Sequence, residues 1–243
     1  MKIVQIQSHV YSEKMENLEQ LEVRLREVDG QKPDLVMLGE MFCCPYETSL
    51  FPSYAEDEGG PVWSRLSSLA REHGIYLAAG SVPERDEAGK VYNTAYVFDR
   101  DGRQIAKHRK VHMFDTEFGK IGLCICFDFR FPELARRMVL EGARLILVPA
   151  AFNMTTGPAH WELMFRSRAV DNQCFVAGTS CARDMQASYV AWGHTLLASP
   201  WGDVIEEMGE EEGVIVNTID LSYADKVRRE LPLLSARREE VYV

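Results

Sequence analysis

A chain of 243 residues, 46% hydrophobic, is long enough to bury the core of one large α/β domain and leaves little room for two. Its formal net charge of −10 argues against a nucleic-acid partner or an anionic membrane surface, and no apolar run reaches the length of a membrane span. Met1 is followed by a strand-like Lys2–Gln7 instead of a basic start and an apolar core, so no signal peptide is expected and the cytoplasm is the expected compartment.

Taken in order, strands alternate with helices. Residues 2–7 read as a strand and Glu13–Val28 as a helix with Leu18, Leu21, Leu25 and Val28 on one face. Asp34–Leu38 is a buried strand that stops at Gly39-Glu40, and an aromatic- and Pro-rich loop fills Met41–Pro61. A helix over Val62–His73 precedes a strand over Ile75–Gly80. Tyr92–Phe98 and Gln104–Lys107 form a hairpin across Asp99-Arg100-Asp101-Gly102. Ile121–Cys126 is another apolar strand. A helix over 131–142 follows, with Pro132 near its start, where a missing N–H costs little. Then come a strand at Arg144–Val148, a loop at Pro149–Gly157, a helix at His160–Asn172 and a strand at Cys174–Ser180. Strands near 193–198, 203–207 and 213–219 read as a meander, a helix near 222–229 follows, and residues 230–243 form a polar tail. No repeat or linker interrupts the chain, so one domain over 1–243 is expected. Mixed βα units and a meander fit two sheets packed face to face with helices outside, in the α/β or α+β class.

Cysteines 43, 44, 124, 126, 174 and 181 are not spaced as metal knuckles, and a chain this long needs no disulfide framework; free thiols are expected. The six histidines form no HExxH or other ligand pattern, so neither a metal nor a cofactor is expected. Three polar residues stand directly after apolar strands or beside them: Glu40, Lys110 and Cys126. Strand ends are where α/β proteins build sites. Cys126 would sit between a strand and a helix N-terminus, where the dipole and free amides favour a thiolate. Singly, each residue is bland: an isolated Cys is more often a buried small hydrophobe, and Glu or Lys a solvated charge.

Their context is specific. Leu38-Gly39-Glu40-Met41-Phe42, the stretch from His108 to Asp115 and the stretch from Ile125 to Leu134 resemble, in order, the three catalytic motifs of the nitrilase superfamily, the carbon–nitrogen hydrolases. Tyr92-Asn93-Thr94 and Ser199-Pro200-Trp201-Gly202 extend the resemblance over nearly the whole chain. The loop and helix from Ala151 to Gln173, and the run from Ala187 to His194, are similar to the ω-amidase branch. The resemblance implies a four-layer αββα sandwich, homodimers or higher homo-oligomers with a C-terminal arm over about 230–243, and hydrolysis of the terminal amide of α-ketoglutaramate or α-ketosuccinamate.

It also implies a Glu-Lys-Cys triad. Cys126 would attack the amide carbonyl and form a thioester with loss of ammonia. Glu40 would move the protons and later activate water, and Lys110 would hold positive charge beside the developing oxyanion and lower the thiol pKa. The backbone N–H of Phe127 is a second candidate oxyanion donor. A free carboxylate on the substrate wants a guanidinium and a hydroxyl; Arg130 and Thr156 are the candidates, with a salt bridge from Arg130 to Glu133 or Asp128 as the alternative. Tyr46, Asn153 and His160 are candidate pocket residues, each as easily a packing or loop-capping residue.

One feature departs from the resemblance. A longer excursion, with a second glutamate and part of the pocket wall, is implied between Lys110 and Cys126, where this chain has fifteen residues. Either a further mobile segment belongs here that the 243 residues omit, or the chain is truly shortened and its pocket opened. The first is the expectation, because a deletion beside an intact triad is costly. Glu117 is not in the matching context and takes no role. Alternatives to the ω-amidase reading are an amidase for another small amide (deaminated glutathione or an N-carbamoyl compound) and a catalytically silent binding protein.

Overall fold

Alternation along each strand sorts side chains between two apolar layers, because successive residues point to opposite faces. The computed structural model describes residues 1–109 and 112–241. The first sheet contains β1 (Lys2–Gln7), β2 (Leu35–Met37), β3 (Tyr76–Ala78), β4 (Val82–Arg85), β5 (Val91–Phe98), β6 (Gln104–His108) and β13 (Gly213–Thr218). The second contains β7 (His112–Thr116), β8 (Gly119–Leu123), β9 (Leu145–Pro149), β10 (Phe175–Thr179), β11 (Leu196–Ala198) and β12 (Val204–Glu207). Their orders are β13-β1-β2-β3-β5-β4, with β6 on β5, and β12-β11-β10-β9-β8-β7. Each sheet has a parallel centre, β1-β2-β3 in one and β8-β9-β10 in the other, with antiparallel strands outside it.

Ile3, Leu35, Met37 and Val97 of the first sheet meet Ile121, Leu123, Leu145, Leu147 and Ala177 of the second in one buried cluster. The intervening residues face outward. Val4, Ile6, Val36 and Leu77 pack under α1 (Lys14–Val28) and α3 (Pro61–His73), through Leu18, Leu21, Leu25, Leu66 and Leu69. Ile146, Val148, Val176 and Leu196 pack under α4 (Pro132–Leu140) and α5 (Gly157–Asn172), through Ala135, Met138, Trp161 and Phe165. Helix, sheet, sheet and helix thus form the four-layer sandwich. Two short helices complete it: α2 (Phe51–Tyr54) in the expected loop, and α6 (Ser222–Glu230).

Among the described residues, the stretch between Lys110 and Cys126 is a tight hairpin. β7 and β8 pair in continuous register from His112↔Leu123 to Thr116↔Gly119, across a turn of only Glu117 and Phe118. Glu117 is engaged there by Tyr76 and Arg100. The strand expected at Ile121–Cys126 ends at Leu123, and Cys126 opens a 3-10 turn, Cys126–Arg130.

Candidate active site

Both sheets contribute to one mouth at the C-terminal ends of their parallel strands. Glu40 lies just past β2, Cys126 just past β8 and Ala151 just past β9, while Asn93 reaches in from β5. The sheets close tightly here: a Cβ on Gly39 would stand 2.9 Å from the backbone of Ser180, just past β10. Two residues at this mouth adopt the left-handed backbone that non-glycine residues rarely take, Met41 (φ 52°) and Cys126 (φ 40°). A strained residue held by its surroundings is a common sign of a functional position.

Glu40 is 2% exposed. Its Oε2 accepts the Ala151 N–H at 2.9 Å, and its Oε1 accepts Asn93 Nδ2 at 2.8 Å and the Tyr46 hydroxyl at 3.3 Å. The Cys126 thiol donates to the same carboxyl. Burial outweighs these four donors and pushes the Glu40 carboxyl from 4.5 up to about 7. Burial also raises the Cys126 thiol well above its usual range, and the Glu40 charge adds to it; the Ala151 N–H and the Arg130 charge oppose. Among the described residues, desolvation thus opposes the thiolate that the helix dipole favours.

Arg130 is placed by apolar and aromatic neighbours. Its guanidinium lies 4.6 Å from the Phe152 ring centre and 5.9 Å from that of Phe127, and it meets His160 Nδ1 at 3.2 Å. Among the described residues no carboxylate pairs with it; Asp128 is turned instead to His108, at 3.0 Å.

The carbon–nitrogen hydrolase family description matches residues 3–229. The chain is 45% identical to ω-amidase NIT2 of Xenopus tropicalis, over 94% of this chain and 92% of that protein. The chain belongs to the carbon–nitrogen hydrolase family. To ω-amidase NIT2 of Homo sapiens this carbon–nitrogen hydrolase is 42% identical, over 99% of its length and 96% of the relative's. Nit3 of Saccharomyces cerevisiae, described as a member of branch 10 of the nitrilase superfamily, superposes with a TM-score of 0.92 at 38% identity, covering 98% of this chain and 96% of that one. The human alignment runs over 266 positions against 243 residues here, so the relative carries residues that this chain lacks. As a carbon–nitrogen hydrolase the chain is an enzyme acting on small amide substrates.

Of the residues expected in the hydrolase's site, Glu40, Cys126 and Tyr46 are joined by hydrogen bonds, and the Arg130 charge reaches Cys126. Lys110 lies outside the described residues. Asn153 and Thr156 are occupied with each other: Asn153 Oδ1 accepts the Thr155 and Thr156 N–H groups, at 3.0 and 2.9 Å, and the Thr156 hydroxyl at 3.0 Å. Asn153 thus caps the loop ahead of α5, the alternative already named for it. The Phe127 side chain is 66% exposed, while its N–H sits in the first turn of a helix, where no intrahelical acceptor exists. Sequence reasoning missed Asn93, the Ala151 N–H and Tyr189, whose ring lies 4.5 Å from that of Tyr46 and whose hydroxyl donates to the Ala151 carbonyl at 2.6 Å. All three lie in matched runs, Asn93 in Tyr92-Asn93-Thr94, Ala151 at the start of the run to Gln173 and Tyr189 in the run from Ala187 to His194, but nothing in those runs singled them out.

Proposed function

We propose that the chain is an ω-amidase: it hydrolyses the terminal amide of a small dicarboxylate monoamide such as α-ketoglutaramate or α-ketosuccinamate. The buried Glu40 carboxyl hydrogen-bonded to the Cys126 thiol, with Arg130 beside them unpaired by any described carboxylate, carries this reading. Near pH 7 about half of Glu40 is ionised. As the sulfur attacks the amide carbonyl, Glu40 takes the thiol proton; no preformed thiolate is needed. Lys110 and the Phe127 N–H stabilise the oxyanion of the tetrahedral intermediate. Glu40 then gives its proton to the leaving nitrogen, the C–N bond breaks, and ammonia departs from a thioester. Water, deprotonated by Glu40, attacks the thioester; the C–S bond breaks, the acid leaves and the thiol regains its proton.

Arg130 takes the substrate's distal carboxylate, with Thr156 as a second donor once its hydroxyl leaves Asn153, and Tyr46 and Asn153 lining the pocket. The NIT2 relatives support the substrate class. The reading includes one domain over 1–243, a cytoplasmic homodimer or higher homo-oligomer with residues 230–243 as an arm, and no bound cofactor. Among the described residues no helix is long and apolar enough to cross a membrane.

The test is ammonia release from α-ketoglutaramate. Wild type is expected to release it and Cys126→Ala to release none. Arg130→Ala is expected to lose roughly a hundredfold in kcat/KM while its Cys126 is still alkylated, since a charge-assisted pair is lost but not the nucleophile. Unchanged turnover in Arg130→Ala would sink the dicarboxylate assignment. Wild-type protein that releases no ammonia would sink the ω-amidase assignment.

A further inference from the structure

The nucleophile's strained backbone requires something to hold it. Cys126 has φ 40° at the start of the 3-10 turn, and the residue ahead of it, Ile125, is extended. Two side chains hold the turn's backbone. At its end Arg168 donates to the Arg130 carbonyl at 3.1 Å. At its start Asp128 closes a reciprocal loop around Cys126 and Phe127: the Asp128 N–H donates to the Ile125 carbonyl at 2.9 Å, and Asp128 Oδ2 accepts the Ile125 N–H at 3.1 Å. That same Oδ2 meets His108 Nε2 at 3.0 Å.

His108 is the last residue of β6, 1% exposed, on the opposite sheet from β8. Its Nδ1 is buried with no partner among the described residues. A buried N–H without an acceptor is costlier and rarer than a bare lone pair, so the imidazole proton belongs on Nε2, where Asp128 accepts it. The imidazole then donates one charge-assisted hydrogen bond across the gap between the sheets. Asp128 is itself partly exposed, so without this donor its carboxylate would be free to turn to water and leave the Ile125 N–H.

We infer that His108 and Asp128 are positioning residues that lock the elbow bearing Cys126 and thereby set the thiol against Glu40. This inference rests on Cys126 being the nucleophile. Neither residue touches the substrate in this scheme. His108 fixes the Asp128 carboxylate, and Asp128 fixes the turn. A displacement of the thiol by about 1 Å is enough to cost a hundredfold in rate.

The test compares His108→Leu, His108→Gln and Asp128→Ala with wild type. It reads kcat and KM for α-ketoglutaramate per titratable Cys126 thiol, and separately the rate at which iodoacetamide alkylates Cys126. His108→Leu and Asp128→Ala are expected to lower kcat about ten- to a hundredfold with KM within threefold, and to slow alkylation by a similar factor. The double variant is expected to be no worse than either single one, since both remove one interaction. His108→Gln, whose amide supplies an N–H near the position of Nε2, is expected to recover both rates to within threefold of wild type. Rates per thiol that are unchanged, with only a lower melting temperature, would overturn the proposal. Should His108→Leu not fold, Asp128→Asn is read by the same two rates, and equality with wild type would be equally fatal. Alkylation needs no amide substrate, so a wrong ω-amidase assignment shows as wild-type inactivity and leaves this arm standing.

Discussion

Burial keeps Glu40 protonated past the point at which an exposed glutamate ionises, at about 7 against 4.5. Between those two values the folded chain binds a proton that the unfolded chain has released. Stability from this group is therefore fully present below about pH 4.5 and is lost as pH rises through about 7. The difference corresponds to roughly 3 kcal/mol. Glu40→Gln, which cannot ionise, should escape that loss. Its stability relative to wild type, from urea titrations at pH 5 and pH 8, should improve by up to that amount at the higher pH; a pH-independent difference would contradict the burial argument. In wild type, kcat/KM should rise through about pH 7 as the base ionises, and Glu40→Gln should show no turnover. Glu40 and Cys126 were legible because each ends an apolar strand inside a motif. The residues that set their protons were not. Asn93 sits on β5, Tyr189 comes from a loop far along the chain, and Ala151 acts through its backbone N–H, which no side-chain pattern betrays.

Helix α5 lies on the second sheet with almost no gap at Gly178 of β10. A Cβ there would stand 2.3 Å from the Phe165 ring, far inside contact distance. Gly178→Ala should cost about 1–3 kcal/mol through overpacking, a fall in melting temperature of roughly 2–10 °C. Combining it with Phe165→Leu, which makes room, should return part of that loss; a neutral Gly178→Ala would show that the ring can swing away. The strands that meet in the central cluster were readable as apolar runs, with Leu35–Met37 and Leu145–Pro149 the clearest cases. β4 and β7 were not. β4 carries Pro83, Glu84 and Arg85 at a sheet edge, where a missing ladder N–H is tolerated. β7, His112–Thr116, joins the second sheet at its edge through its pairing with β8, and lacks an apolar run to announce it. α5 begins at Gly157, three residues earlier than the periodicity suggested, because Pro158 suits a first turn.

At the scale of the whole molecule, outer helices carry exposed apolar side chains, Met15 and Val23 on α1 among them. On α5, Leu163 is 67% exposed and Val170 is 40% exposed, seven residues apart and so on one side of the helix. Val170 lies against Gly202, next to Trp201, which is 53% exposed. Large apolar side chains in such a row are a partner's signature more than a solvated surface's. In the proposed homodimer a second copy of α5, related by a two-fold axis, would cover them, each helix burying the other's Leu163. Sedimentation velocity should then give twice the 27.6 kDa chain mass at micromolar concentration. Leu163→Glu would place two like charges across that axis with nothing to neutralise them, and should shift the protein towards monomer. The same variant should fold normally, because Leu163 contributes little to the monomer's core. A wild-type monomer would remove the homodimer from the proposal. A dimer indifferent to Leu163→Glu would move its interface off the α5 face, most directly to the arm over residues 230–243.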